Sequence, residues 1–599
     1  MNNSRGSAKD REKAREIAGL IWANADLLRG NYKRADYGKI ILPFTVIRRL
    51  DFVLEPTKQK VVDAFQKYKD KKPEVLEPLL NRAAGKGMQF HNRSKFTFND
   101  LVKDHQNIAA NFRNYLRGFS SHVKEIIDYF SFDEQIKKLD EYNLLFQITE
   151  KFTKEETVSL LRDADTILMG LAFEELIRKF AEDSNETAGE HFTPREVIRL
   201  MVNILFAKDK KTLTKGGVIC TLYDPACGTG GMLSEAAEYI REMNHGCEIK
   251  VFGQELNPES YAICKSELLI KNQDTTYVKF GNSFTQDGLS DARFDYMLSN
   301  PPFGVEWRKV ERFIKDESEK CGYNGRFGAG LPPISDGSLL FLQHMISKLK
   351  RDKTPNSTGG RIAVVFNGSP LFSGGAGSGT SDIRKWIIEN DMLETIIALP
   401  DQLFYNTGIS TYIWIVTAQK YKERKGKIQL INATGTELDE KDNPFYSKTP
   451  RSLGNKRKEL HKKAIQYITE IYADFEDGEY SKIFDNDDFG YQRITIERPK
   501  RDENGNIMKD KKGNTVADAD LRDYENVPIK EDIHKYFERE VKPHVPDAWI
   551  DKTKTKIGYE INFTKYFYKY KPLRSLDIIR REILKLEKET EGMIKKILG

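Results

Sequence analysis

The sequence predicts an α/β protein. Its centre is a doubly wound, mostly parallel sheet with helices on both faces, preceded by an α-helical N-terminal domain and followed by a charged C-terminal arm. Three observations carry this. From about residue 190, apolar runs at 218–222, 250–254, 277–281, 294–299, 361–366, 393–399 and 411–416 alternate with helix-sized gaps, the pattern of repeated βαβ units. Before them, apolar residues recur at helical spacing. After them, residues 422–535 turn polar, with turn chemistry at Asn504-Gly505 and Lys512-Gly513-Asn514.

Taken in order, the helical region runs over 9–180. Ile17, Leu20, Ile21, Ala25 and Leu28 share one helix face, and Gly30 offers a C-cap. Further helices are expected at 36–53, 122–130 and 155–180, with a polar interruption at 81–100 and no short repeat. The domains are read as 1–180, 181–425 and 426–599. Residues 572–599 end the chain as a helix with a heptad-like row: Leu576, Ile579, Ile583, Leu586, Thr590, Met593 and Ile597. Such a row requires a partner surface.

Composition bounds the function. The 599 residues carry a net charge of +6, too little for a protein that coats nucleic acid, and 31% charged with 39% hydrophobic residues excludes whole-chain disorder. Five cysteines without CxxC spacing indicate neither disulfides nor a zinc site, and no metal site is expected. The longest apolar stretches, such as 408–418, are strand-sized, and the N-terminus lacks an apolar signal core. A cytoplasmic protein without membrane contact is expected.

The strongest local signal is the strand-to-turn stretch Asp224-Pro225-Ala226-Cys227-Gly228-Thr229-Gly230-Gly231, which opens a helix. Glycines there tolerate positive φ and let the backbone approach a ligand. The GxGxxG spacing of dinucleotide sites and the lysine of a P-loop are both missing. The next strand ends at Glu255, a carboxylate placed to hold adenosine ribose hydroxyls, and the third ends near Asn282, a candidate beside the adenine ring or a cap of the following turn. Together these features resemble the S-adenosylmethionine site of Rossmann-like methyltransferases.

The fourth strand runs into Asn300-Pro301-Pro302-Phe303. Two prolines remove two amide donors, so the loop can aim carbonyl oxygens and the Asn300 amide oxygen at one point. Two acceptors on the hydrogens of an aromatic amine pull its nitrogen toward tetrahedral geometry and free the lone pair for attack. Phe303 offers a face for a flipped base. No covalent adduct is needed, so Cys227 and Cys321 are not expected to act as nucleophiles. This loop resembles that of amino-methyltransferases acting on adenine N6, and occurs in relatives that methylate protein glutamine or ribosomal-RNA guanine N2.

Upstream, Glu190-His191-Phe192-Thr193-Pro194-Arg195 leads into a helix expected at 196–205, with Thr193 as N-cap. Downstream, residues 403–411 read LFYNTGIST, and 489–499 read FGYQRITIERP. The order of these blocks resembles the modification subunit of type I restriction–modification systems across nearly the whole chain. That resemblance implies an S-adenosylmethionine-dependent DNA adenine-N6 methyltransferase. It places Glu190 to Arg195, Asp224, Ala226, Cys227, Gly228, Thr229 and Gly230 around the cofactor, Glu255 on its ribose, and Asn300 to Phe303 on the adenine. The implied partners are a specificity subunit, a restriction subunit, a second modification subunit and double-stranded DNA, in a prokaryotic cytoplasm and on the nucleoid when DNA is bound.

The flanks fit that division of labour. No folded target-reading surface is evident after residue 422, so sequence recognition falls to a separate chain, with the terminal helix as docking element. Basic clusters at 451–463 and 551–581 suit phosphate or partner contact, and the loop 305–332, with Arg308, Lys309, Arg312 and Arg326, is expected to order on DNA. No nuclease, helicase or P-loop motif stands out.

Overall fold

The computed structural model describes residues 8–183, 193–207, 217–271, 273–351, 359–405, 407–435, 443–453, 455–568 and 575–598. They form two compact units, one ending at Ile561 and one beginning at Asn562.

In the N-terminal layer, α1 (Gly38–Leu54) is apolar on nearly every side and is buried along most of its length. Phe44 sits in a cage of rings, with Phe132, Phe112 and Phe152 centroids at 5.3, 5.5 and 5.5 Å. Two charges enter this core because they are paired: Arg48 meets Asp51 at 3.0 Å and donates to the Phe152 carbonyl, while Asp51 accepts from the Tyr115 hydroxyl at 2.8 Å. Around it lie α2 (Pro73–Ala84), α3 (Ser121–Tyr129) and α4 (Thr166–Asp183). The helix expected at 155–180 is broken at 164–165 into two.

The sheet strands follow as β1 (Ile219–Asp224), β2 (Glu248–Glu255), β3 (Val278–Phe280), β4 (Tyr296–Ser299), β5 (Arg361–Phe366), β6 (Leu393–Ala398), β7 (Tyr412–Thr417) and β8 (Lys427–Asn432). After the antiparallel hairpin of β9 (Ser447–Leu453) and β10 (Lys456–Glu459), β11 (Ser481–Asp485) closes the sheet. The order is β11-β8-β6-β7-β5-β4-β1-β2-β3. β3, β2, β1, β4 and β5 run parallel, and β7 is antiparallel to both neighbours. Strands β5 and β6 are buried at every position, which is why they read as unbroken apolar runs. β1 lies between β2 and β4, so the chain reverses its winding there and opens a crevice at the carboxyl ends.

Helices α5 (Arg195–Phe206), α6 (Gly231–Met243), α7 (Pro258–Ile270) and α8 (Glu311–Cys321) belong to this layer. α7 joins it to the N-terminal layer: Ala262, Ile263, Leu269 and Ile270 share one apolar cluster with Phe44 and its neighbours.

The expectation of a core-poor arm after residue 425 is corrected for 427–561. β8 and β11 complete the sheet, and α9 (Lys462–Asp474) packs Ile465, Ile468 and Tyr472 into its core. A separate antiparallel sheet, β13-β12-β14, from β12 (Gly490–Glu497), β13 (Asp523–Pro528) and β14 (Trp549–Tyr559), closes on Ile494, Ile496, Val527 and Phe537. Half-buried antiparallel strands alternate polar and apolar residues, so their composition reads as surface.

The structure also shows a repeat that the sequence reading lacks. The Met508 amide donates to the Lys500 carbonyl, Val516 to Met508, and Lys500 to Val516, closing a three-way ring. Asp502, Asp510 and Asp518, at the same step, each accept the amide two residues on.

The second unit carries α10 (Leu576–Leu598), on which Leu576, Ile583 and Leu586 are exposed. Among the described residues, no helix is long and apolar enough to cross a membrane.

Candidate active site

β1 delivers Asp224 to the carboxyl edge of the sheet, 2% exposed. One carboxylate oxygen accepts from the Ala226 amide at 2.9 Å and from the Ser299 hydroxyl, at the end of β4, at 2.8 Å. Burial pushes this carboxyl up to about 7 against those two hydrogen bonds, and the Glu255 charge adds to the rise.

The turn after it needs its glycines. Gly228 and Gly230 have φ of +53° and +85°, and a Cβ on Gly230 would stand 2.6 Å from Cys264 Sγ on α7. A Cβ on Gly231, at the start of α6, would meet nothing within 4 Å. At the tip of β2, the Glu255 carboxylate accepts from the Gly228 amide at 2.8 Å and the Asn257 amide at 2.7 Å, tying turn, strand and α7 together. The Cys227 thiol is 4.0 Å from that of Cys264. Contact with Cys264 and burial both raise its pKa well above the usual thiol range, so it is a protonated packing group and not a nucleophile.

From β4 the chain enters the proline loop. Asn300 Nδ2 donates to Thr193 Oγ1 at 3.0 Å. Its Oδ1 is buried and has no hydrogen-bond partner among the described residues, a cost of about 1–3 kcal/mol unless a hydrogen donor meets it. The amide is therefore oriented, with its acceptor left open.

One cavity gathers Thr193, Arg195, Asp224, Ala226, Cys227, Gly228 and Asn300, with Glu174 and Gly231. Glu255 joins through its bond to Gly228. Pro301, Pro302, Phe303, Pro194, Thr229 and Gly230 do not line it; Phe303 packs in part against the sheet core. Asn282 takes the role of a cap: its Oδ1 accepts from the amides of Phe284 and Thr285, 2.8 and 3.3 Å away. Thr193 is not the N-cap expected, because α5 starts at Arg195 with Pro194 in the cap position, and its hydroxyl is used to hold Asn300. The Arg195 guanidinium is taken up by Glu174 and Glu235; burial opposes its charge, but these carboxylates more than offset that and raise its pKa. Glu190, His191 and Phe192 lie outside the described residues.

Two other expectations are corrected. Loop 305–332 is folded on its own: Trp307 is buried and donates to the Pro333 carbonyl, and Arg326 is held by Glu317 and the Ser283 and Phe284 carbonyls. In the basic cluster at 451–463, Lys456 is buried on Glu196 of α5 and Lys458 pairs with Asp401, so both serve packing. Glu174 and Ser299 were not singled out by the sequence. Glu174 sits in an ordinary amphipathic helix, and only the fold brings it to the turn.

The family model for N-6 DNA methylase matches residues 164–504, more than half of the chain. The chain belongs to this family. The N-6 DNA methylase match begins inside the helical layer, so α4 with Glu174 is part of it; the HsdM N-terminal domain matches residues 17–152. The methylase subunit of the type I restriction enzyme MjaVII from Methanocaldococcus jannaschii is 28% identical over 396 residues, covering 65% of this chain and 62% of the relative. That of HindI from Haemophilus influenzae is 30% identical over 269 residues, covering 44% and 54%. The chain thus spans about half to three-fifths of the length of these relatives. The crystal structure of a type I restriction-modification methyltransferase subunit from Streptococcus thermophilus superposes with a TM-score of 0.60 at 23% identity, over 80% of this chain and 97% of that one, a likeness of fold.

Proposed function

We propose that the chain transfers a methyl group from S-adenosylmethionine to the N6 amino group of an adenine flipped from double-stranded DNA, as the modification subunit of a type I restriction–modification complex. The observation that carries this is Asn300: a fixed amide at the switch point of the sheet whose buried oxygen has no donor among the described residues. An adenine N6–H is such a donor. Accepting it draws electron density onto the nitrogen and lengthens its lone pair's reach toward an electrophile. The residues beside it fit the cofactor. Gly231 leaves open space, Gly228 and Gly230 bring the backbone close, and Asp224 and Glu255 are carboxylates suited to an amine and a ribose. When bound, S-adenosylmethionine supplies a methyl carbon made electrophilic by its sulfonium. This chain's residues hold the amine, exclude water and offer no competing thiolate.

Sequence recognition belongs, on this reading, to a specificity subunit docked through α10, with a second modification subunit and a restriction subunit in the larger assembly. The site acts in the prokaryotic cytoplasm, on the nucleoid.

The test uses labelled cofactor and the complex with its specificity partner. Asn300→Ala should lower methyl transfer to DNA by roughly 100-fold or more while cofactor binding persists. Transfer at the parental rate, or label found on protein or RNA and not on DNA, would reject the reading.

A further inference from the structure

A cavity of about 990 Å³ lies apart from the one that holds Asn300. It lies where the N-terminal layer meets the open edge of the sheet, between the end of α2, α3, α7 and β3. Its size is that of a small-molecule site.

The chemistry of its wall is divided. On one side are rings: Tyr129 and Phe280 with centroids 4.6 Å apart, and Tyr261 4.8 Å from Tyr129. Phe280, at the tip of the edge strand, is 39% exposed, so part of its ring is open to the cavity. Beneath them the charges are settled: Lys265 donates to Glu125 at 2.8 Å and to the Tyr261 hydroxyl at 3.1 Å. On the rim they are not. Arg82, in the last turn of α2, and Lys86, one turn further on, are both exposed, and neither makes an ion pair among the described residues. Lys279 stands on the β3 side, and Asp274 is the rim's acidic member. His122 completes the wall; its Nε2 is buried with no hydrogen-bond partner among the described residues, and burial and the Lys265 charge lower its pKa.

A ring platform beside a pair of exposed cations without ion pairs among the described residues is complementary to a planar base carrying phosphate. We infer that the cavity between α2, α3 and the β3 edge binds a nucleotide, its base on Phe280 and Tyr129 and its phosphate on Arg82 and Lys86. The same chemistry could arrive as a free nucleotide or as one unit of a nucleic-acid strand. The site shares α7 with the cofactor turn, since Asn257 at the head of that helix holds Glu255. Occupancy would therefore brace the helix from which the cofactor's carboxylate is hung.

The experiment is a titration of the full-length protein, first saturated with S-adenosylhomocysteine so that the cofactor site is filled. ATP, AMP and an oligothymidylate serve as separate probes. ATP is expected to bind without displacing S-adenosylhomocysteine, and more tightly than AMP. Arg82→Glu with Lys86→Glu, both at exposed positions, should weaken it by roughly tenfold or more, and Phe280→Ala should weaken AMP as well, with S-adenosylhomocysteine binding unchanged in both variants. Binding of the oligonucleotide alone, lost in the same variants, assigns the site to a strand. Failure of all three probes, competition with S-adenosylhomocysteine, or unchanged affinity in the variants would overturn the inference. Loss of S-adenosylhomocysteine binding by the parent protein would instead count against the proposed methyl transfer, and the two failures are read separately.

Discussion

Asp224 shows what a single residue contributes here, and at what cost. A carboxyl raised to about 7 by burial keeps its proton in the folded chain over a range where the unfolded chain has already lost it. The folded state then binds more protons than the unfolded state from about pH 4 to about pH 7, so stability falls as pH rises through that window and levels off above it. The size is on the order of 4 kcal/mol for a shift of that extent. Asp224→Asn keeps an oxygen for Ala226 and Ser299 while removing the charge. It should flatten this slope and make the cofactor-free protein more stable than the parent at pH 8, measured by denaturant unfolding at pH 5 and pH 8. A variant with the parent's slope would mean that the carboxyl is not held in this way. The same substitution should weaken cofactor binding, which is the reason such a costly charge stands there on the proposed function.

At the scale of elements, the turn between β1 and α6 separates two kinds of glycine. Gly230 is required by the fold: its φ is +85° and a Cβ would press on Cys264 Sγ at 2.6 Å. Gly230→Ala should therefore cost about 1–3 kcal/mol of stability without any ligand. Gly231 lines the cavity with open space before it. Gly231→Ala should leave thermal unfolding of the free protein almost unchanged and weaken cofactor binding. Equal stability losses in both variants would refute the distinction. This turn, the proline loop and the parallel strands were legible in the sequence because each demands unusual residues in a row: glycines for positive φ, prolines for missing donors, unbroken Ile and Val where both sheet faces are covered. What stayed hidden is made by residues whose neighbours are far away in sequence. Glu174 reaches the turn from α4, and Thr193 is taken from helix capping by Asn300. Buried Lys456 and Arg424 in the polar-looking segment after 420 are core members because Glu196 and Glu394 meet them. The ring at 500, 508 and 516 escaped notice because its third copy has lost the Gly-Asn of the first two.

For the whole molecule, the terminal helix belongs to the second of the two units. The apolar clusters of the sheet, the N-terminal layer and the β12–β14 sheet draw on residues up to Ile550. On α10, Leu576, Ile583 and Leu586 are 84%, 58% and 62% exposed, at the seven- and three-residue spacing of a helix seam. Apolar side chains spaced in this way gain only when a second surface covers them, each by about 1.5–3 kcal/mol. Replacing all three by glutamate should therefore leave the unfolding temperature and cofactor affinity of the free chain as they are. Its affinity for the specificity subunit should fall by roughly a thousandfold or more, and methylation of DNA with it. Size-exclusion chromatography of the mixed subunits separates the outcomes. Complex formation at the parent's affinity would place the docking surface elsewhere on the chain. Its loss with intact cofactor binding would explain, on the proposed function, how a chain with a net charge of only +6 could act on DNA, by sharing the polyanion with a partner that it grips through a helix and not through charge.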